Sequence, residues 1–351
     1  MTMSSNNLID QLRKAGIPVA DTGPADRESP WYVKALQGFS GWFASFFVLG
    51  FLALALQPVV EGAFGAFIIG LTALAGAFAI LRVARNEFLE HLGLSISLAG
   101  QLLVAFSAAQ TWDFDVVGPF WWIMAGLQLA LAIVMPNFMH RVVSMGFACM
   151  SFSAALFSIG LFFVPGSLVL LATVSLWLNE FRLPQRIHEL HALGYGLALG
   201  LVAITLLARL GWLSDFGLQA AHFWSAWLGE ALALMALLYL IVSVLKRRLF
   251  EPRQFMIRLV FFSAAVIGVL SLQVTGLVQG TTLLLLAFAV GNRLLAGLGV
   301  ATLLYAVSSY YYWLDITLLE KSGTLLALGL VLLAVRWFVI RRPNNRGQHN
   351  A

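Results

Sequence analysis

The feature that most constrains this chain is a series of near-continuous apolar runs, most of them about 20 residues long, separated by short polar joints. At ~1.5 Å rise per residue, a helical run of that length covers a hydrocarbon core of ~30 Å. A helix also satisfies its own backbone hydrogen bonds, which lipid cannot do. The runs cover residues 35–56, 63–81, 91–110, 117–135, 142–160 and 163–177, then 190–210, 222–245, 256–274, 277–290, 294–313 and 323–340. They predict an all-α polytopic transmembrane bundle of 12 helices. The runs at 163–177 and 277–290 are short and close to their neighbours, and losing either would invert everything after it. Composition agrees: 60% of the 351 residues are hydrophobic, only 11% are charged, and the mean hydropathy is +0.88. That balance lies far from a soluble domain.

The formal net charge of +5 would suggest nucleic acid in a soluble protein, but here topology explains it. Lys and Arg in short loops resist translocation. With twelve spans and a cytoplasmic N-terminus, one side collects Arg82, Arg85, Arg141, Arg182, Arg186, Lys246, Arg247, Arg248, Arg253, Arg258, Arg293 and the basic residues near both termini. The other side keeps only Arg209 and Lys321. The lipid bilayer is therefore the expected environment, both termini are expected in the cytoplasm, and no nucleic-acid partner is expected. Residues 1–34 form a polar N-terminal segment with a short amphipathic helix, 35–340 the transmembrane domain, and 341–351 a basic tail. The first 34 residues lack the apolar core and small-residue cleavage site of a signal peptide, so the first span is expected to remain as an anchor. Cys149, the single cysteine, lies inside a run, which leaves no internal disulfide and no CxxC pattern.

A pattern echoes along the chain at a spacing of about a hundred residues, as repeats of roughly four helices would. Asn86-Glu87-Phe88 leads through an apolar run to Trp112 and Asp113; Asn179-Glu180-Phe181 leads to Trp212 and Asp215; Asn292-Arg293 leads to Trp313 and Asp315. Three parallel units at 35–140, 141–250 and 256–340 would account for this, because an even number of spans returns each unit to the same orientation. A bundle of two six-span halves is the competing organisation.

Three groups of residues are candidates for function. Glu230 is the acid placed inside a run, about 12 Å inward from His222. A carboxylate at that depth must face the bundle interior, find a partner or carry a proton. It reads either as a substrate or proton site with Gln128 and Gln101 as polar company, or as a protonated acid tying two helices together. Asn86, Glu87, Asn179, Glu180, Asn292 and Arg293 mark equivalent run ends on the basic side, and read either as helix-end residues or as a polar cluster at a cytoplasmic mouth. Tyr310, Tyr311 and Tyr312 with Asp315, Glu320 and Lys321 form either an aromatic belt with surface charges or an outer-face binding surface. His188-Glu189-Leu190-His191 is one residue short of the HExxH zinc pattern. No metal site, cofactor or catalytic set is expected.

The stretch from Tyr310 to Gly323, together with Pro30-Trp31-Tyr32-Val33, Gly41-Trp42 and Asn179-Glu180-Phe181-Arg182-Leu183-Pro184, resembles the bacterial membrane-protein family of domain of unknown function 4401. The resemblance implies a multi-spanning inner-membrane protein, encoded beside another polytopic protein and a protein with a GDYxxLxY motif, and so a membrane complex with partners from the same operon. It brings no activity and no catalytic residues. The leading expectation is a non-enzymatic subunit of a membrane complex; the alternative is a proton-coupled transporter or permease using Glu230.

Overall fold

The computed structural model describes residues 62–84, 86–111, 117–207, 223–247, 254–272 and 274–313, with isolated positions outside these stretches. Among the described residues the chain is all-helical, with ten α-helices and no strand. They are α1 (Ala63–Val83), α2 (Glu87–Thr111), α3 (Val117–Val134), α4 (Phe138–Phe157), α5 (Val164–Leu178), α6 (Ile187–Leu207), α7 (Phe223–Arg247), α8 (Gln254–Ser271), α9 (Leu277–Val290) and α10 (Arg293–Trp313). Each coincides with one of the expected apolar runs. The expected runs at 35–56 and 323–340, and the terminal segments, lie outside the described residues. Six of the ten helices are long and apolar enough to cross a membrane, which is compatible with an integral membrane protein. The other four, α3, α5, α8 and α9, carry shorter apolar segments among the described residues, and α5 and α9 are the two runs expected to be short.

The chain divides into two compact units, residues 1–104 and 105–351. In the first, α1 and α2 cross where Gly70 faces Gly100. A Cβ built on Gly70 would sit 2.9 Å from the Gly100 carbonyl oxygen. Small residues at such a crossing let two backbones approach in an environment with no hydrophobic drive between helices.

In the second unit successive helices alternate in direction. Trp122 of α3 meets Phe152 of α4 edge to face. Met145 and Cys149 of α4 pack on Gly196 and Gly200 of α6, in register and parallel. Trp177 and Gly166 of α5 face Gly194 and Ile204 of α6, antiparallel. Ser167 of α5 donates to the Gly229 carbonyl of α7 at 2.6 Å, and Arg247 at the far end of α7 donates to the Leu178 carbonyl, so α5 and α7 are parallel. Helix α8 runs back along α7, and α9 against α10.

Helix α5 is the hub. Leu170, Val174 and Trp177 are fully buried among Leu197 and Leu201 of α6, Leu237 and Leu240 of α7, and Leu283 and Leu286 of α9. Helix α9, the other short run, is buried in the same cluster, and both helices follow a glycine with positive φ, Gly160 at 84° and Gly276 at 96°. Only glycine adopts that backbone without strain, and the turn it makes brings the chain directly back into the bundle. Both short helices bury one broad face in this core, while Leu285 and Phe288 on the other side of α9 remain exposed.

Candidate functional site

Alternation of direction gathers one set of helix ends together: the start of α4, the α5–α6 corner, the end of α7, and the starts of α8 and α10. Every described Lys and Arg of the second unit lies at this end, from Arg141 through Arg182, Arg186, Lys246, Arg247 and Arg258 to Arg293. The opposite set of ends has none among the described residues.

At the basic end the side chains interlock around Glu180. Two short 3-10 turns, Glu180–Arg182 and Pro184–Arg186, join α5 to α6. The first rolls the Glu180 side chain inward until only 4% of it is exposed. Its carboxylate is hydrogen-bonded to His191 Nε2 at 3.0 Å. The His191 ring stacks on Trp177 at 5.1 Å between centroids, with an interplanar angle of 23°. Tyr195, one turn beyond His191, meets the same indole edge to face at 5.2 Å. The Tyr195 hydroxyl accepts from Asn292 Nδ2 at 2.7 Å. Asn292 Oδ1 in turn accepts from the backbone N–H groups of Leu294 and Leu295 at 3.0 and 3.2 Å, capping α10. The chain of contacts thus runs from the end of α5 through α6 to the start of α10.

A second tie flanks it. Arg141 Nε donates to the Met135 carbonyl at 2.6 Å and its guanidinium pairs with Glu189 at 3.3 Å, binding the start of α4 to α6. Phe138 packs on the His188 ring at 4.9 Å. Both acids of the corner therefore have partners on a neighbouring element, Glu180 in the interior and Glu189 at the surface.

Of the expected mouth cluster, the structure connects Glu180 and Asn292 through His191, Trp177 and Tyr195. Asn179 ends α5, its side-chain amide donating to the Ser175 carbonyl at 2.7 Å. Asn86 caps α2 by accepting from Leu89 N–H at 2.9 Å, the same task that Asn292 performs on α10. It belongs to the first unit, as does Glu87. Arg293 is exposed. The intermediaries His191, Trp177 and Tyr195 are not marked as a site by the sequence. A legible signal was present: His191 and Tyr195 are four residues apart on one face of α6, and Trp177 and Glu180 are three apart at the end of α5.

At the opposite end, Glu230 accepts a hydrogen bond from Ser271 of α8 at 2.7 Å. Beside it Gly229 presses on α5, where a Cβ would come within 2.5 Å of the Phe163 carbonyl oxygen. Gln128 is buried on α3, while Gln101 belongs to the first unit and donates to Ser97 at 3.2 Å. The partner of Glu230 is thus a serine that the sequence does not single out. Tyr310 and Tyr311 are half-buried and Tyr312 is exposed near the end of α10; Asp315, Glu320 and Lys321 lie outside the described residues.

Among the described residues no group of three or more His, Cys, Asp or Glu side chains is arranged to hold a metal ion. His191, half of the near-HExxH stretch, is engaged with Glu180 instead. No curated protein and no solved structure matches the chain. A family model does, over residues 30–342, nearly the whole length. The chain, with its basic corner around Glu180, belongs to the family described as domain of unknown function (DUF4401).

Proposed function

We propose that this chain is a twelve-span protein of the bacterial inner membrane, with both termini in the cytoplasm, that serves as a non-catalytic subunit of a complex with other polytopic proteins. The observation that carries the subunit reading is the pairing of polar groups within the helical bundle: Glu180 with His191, Arg141 with Glu189, Glu230 with Ser271. Groups lining a transport path exchange partners with a substrate or with water, whereas these hold neighbouring helices to one another. The segregation of Lys and Arg to one set of helix ends supports the orientation. The threefold repeat is supported by Asn86 and Asn292, which cap the third helix of the first and last units alike, and by the glycine turns ahead of α5 and α9, the second helices of the later units.

A transporter reading has one observation in its favour. Two short buried helices in corresponding positions of two repeats, here α5 and α9, are what a midplane binding site is built from in many transporters. Gln279, in the first turn of α9, has a buried Oε1 with no hydrogen-bond partner among the described residues.

One pair of measurements separates the readings. The full chain, drawn from native membranes in mild detergent, is expected to bring a stoichiometric polytopic partner with it, and Glu230→Gln is expected to leave that assembly intact. A chain that emerges alone and carries proton or solute flux in liposomes, with the flux abolished in Glu230→Gln, overturns the subunit reading in favour of the transporter.

A further inference from the structure

The corner between α5 and α6 presents outward the opposite of what it holds inward. Phe181 is 72% exposed and Leu183 56% exposed, and Arg182 and Arg186 are exposed on either side of Leu183. Neither guanidinium has a hydrogen-bond or acidic partner among the described residues, since Glu180 is turned in to His191 and Glu189 is taken by Arg141. The segment is held in place rather than free to collapse. Arg182 N–H donates to the Asn179 carbonyl at 3.0 Å and Arg186 N–H to the Leu183 carbonyl at 3.0 Å, closing the two 3-10 turns. Arg247 of α7 anchors the preceding carbonyl of Leu178.

Two large apolar side chains left in water at a helix junction are costly. Two unpaired guanidiniums beside them define what would cover the patch. A guanidinium offers several donors in a fixed fork and binds phosphate oxygens in pairs. Apolar side chains that dip into the acyl boundary below such a fork are the recipe for an interfacial anchor on an anionic leaflet. Because this corner lies at the basic set of helix ends, the headgroup layer is the surface it meets.

We infer that the loop Phe181–Arg186 is a docking site for anionic phospholipid headgroups, with Arg182 and Arg186 gripping the phosphate and Phe181 and Leu183 seated among the acyl chains. The inference rests on the proposed membrane embedding of the second unit. Its consequence is that the Glu180–His191 pair fixes the geometry of a lipid site on the far side of the same loop.

The test uses the full chain in nanodiscs of phosphatidylcholine doped with phosphatidylglycerol, reading retained phosphatidylglycerol by native mass spectrometry. Each basic residue near an anionic surface contributes about fivefold, so Arg182→Gln with Arg186→Gln is expected to weaken retention about 25-fold. Arg258→Gln, at the same end but outside the loop, is expected to change it little. Phe181→Ser with Leu183→Ser is expected to weaken retention without altering its headgroup preference. Retention unchanged in the arginine double variant overturns the inference. So does competition by inorganic phosphate as effective as by the lipid, which would make the site one for the free anion. Protection of the loop from labelling by a co-purifying protein, and not by phosphatidylglycerol, overturns it in favour of a protein interface. Failure of the chain to stay in the membrane after alkaline carbonate extraction would instead undo the embedding on which all readings rest.

Discussion

Two acids of the second unit, the buried Glu180 and the half-buried Glu230, are handled by different means. Glu180 sits at a corner where three helices end. Its partner His191 is built into an aromatic stack with Trp177 and Tyr195, which passes the constraint on to Asn292. Glu230 sits on the flank of one helix and receives a single hydroxyl from the next, Ser271. What holds its surroundings is backbone proximity, with Gly229 against Phe163 and Ser167 donating to the Gly229 carbonyl. One region is held by side-chain networks, the other by the absence of a side chain. The difference follows from which residues stand at the helix ends. Both regions include ends whose backbone groups need polar partners; at the α5–α6 corner large side chains link them, whereas at the start of α5 Gly229 lets α7 approach the backbone closely.

Substitution can break this contrast at its strongest point first. Gly229→Val places a side chain where the Phe163 carbonyl already lies, and is expected to destabilise the chain by about 3 kcal/mol, read as a fall in unfolding temperature in detergent. If the variant is as stable as the parent, backbone proximity is not what holds the Glu230 region. Glu180→Ala leaves the half-buried His191 without its partner and is expected to cost about 2 kcal/mol. A double-mutant cycle with His191→Ala should return a coupling of about 1 kcal/mol, and additivity of the two would dissolve the pair as an energetic unit.

Glu230→Ala removes one interhelical hydrogen bond and should cost less, about 1 kcal/mol, with Glu230→Gln closer to neutral because an amide oxygen still accepts from Ser271. A loss from Glu230→Ala larger than that from Glu180→Ala would invert the comparison. The smallest effect is expected from Tyr195→Phe, which keeps the edge contact with Trp177 and loses only the hydroxyl that accepts from Asn292, at about 0.6 kcal/mol. Asn292 continues to cap α10 in that variant, which should be visible as unchanged amide protection of Leu294 and Leu295.

The ten described helices were legible because hydropathy is a local property: a run long enough to cross lipid announces itself whatever surrounds it. Helix ends were nearly as readable, since Asn86 and Asn292 stand where their helices begin. The candidate sites were less so. Glu230 is conspicuous as an acid in an apolar run, but nothing near it in the chain names Ser271, 41 residues away. Gln128 and Gln101 are marked in the sequence by polarity alone, and polarity says nothing about which face of a helix meets which neighbour. His188 and His191 invited a metal reading by their spacing, and His191 is turned instead to an acid 11 residues back, across a corner that only the 3-10 turns create.

The sequence by itself determined that this chain is helical and apolar, where its described helices lie, and that its basic residues collect at alternate junctions. Those properties need only the solvent preference of each residue and its place in the order. Tertiary structure alone decided that α5 and α9 share one buried core, and that Glu180 and Asn292 share one network across more than a hundred residues. It also decided that the arginines beside Glu180 are left facing outward. Such outcomes depend on the rotation of each helix about its axis and on which helices become neighbours, and in a chain apolar on nearly every face the pattern of residues leaves both undetermined until the bundle packs.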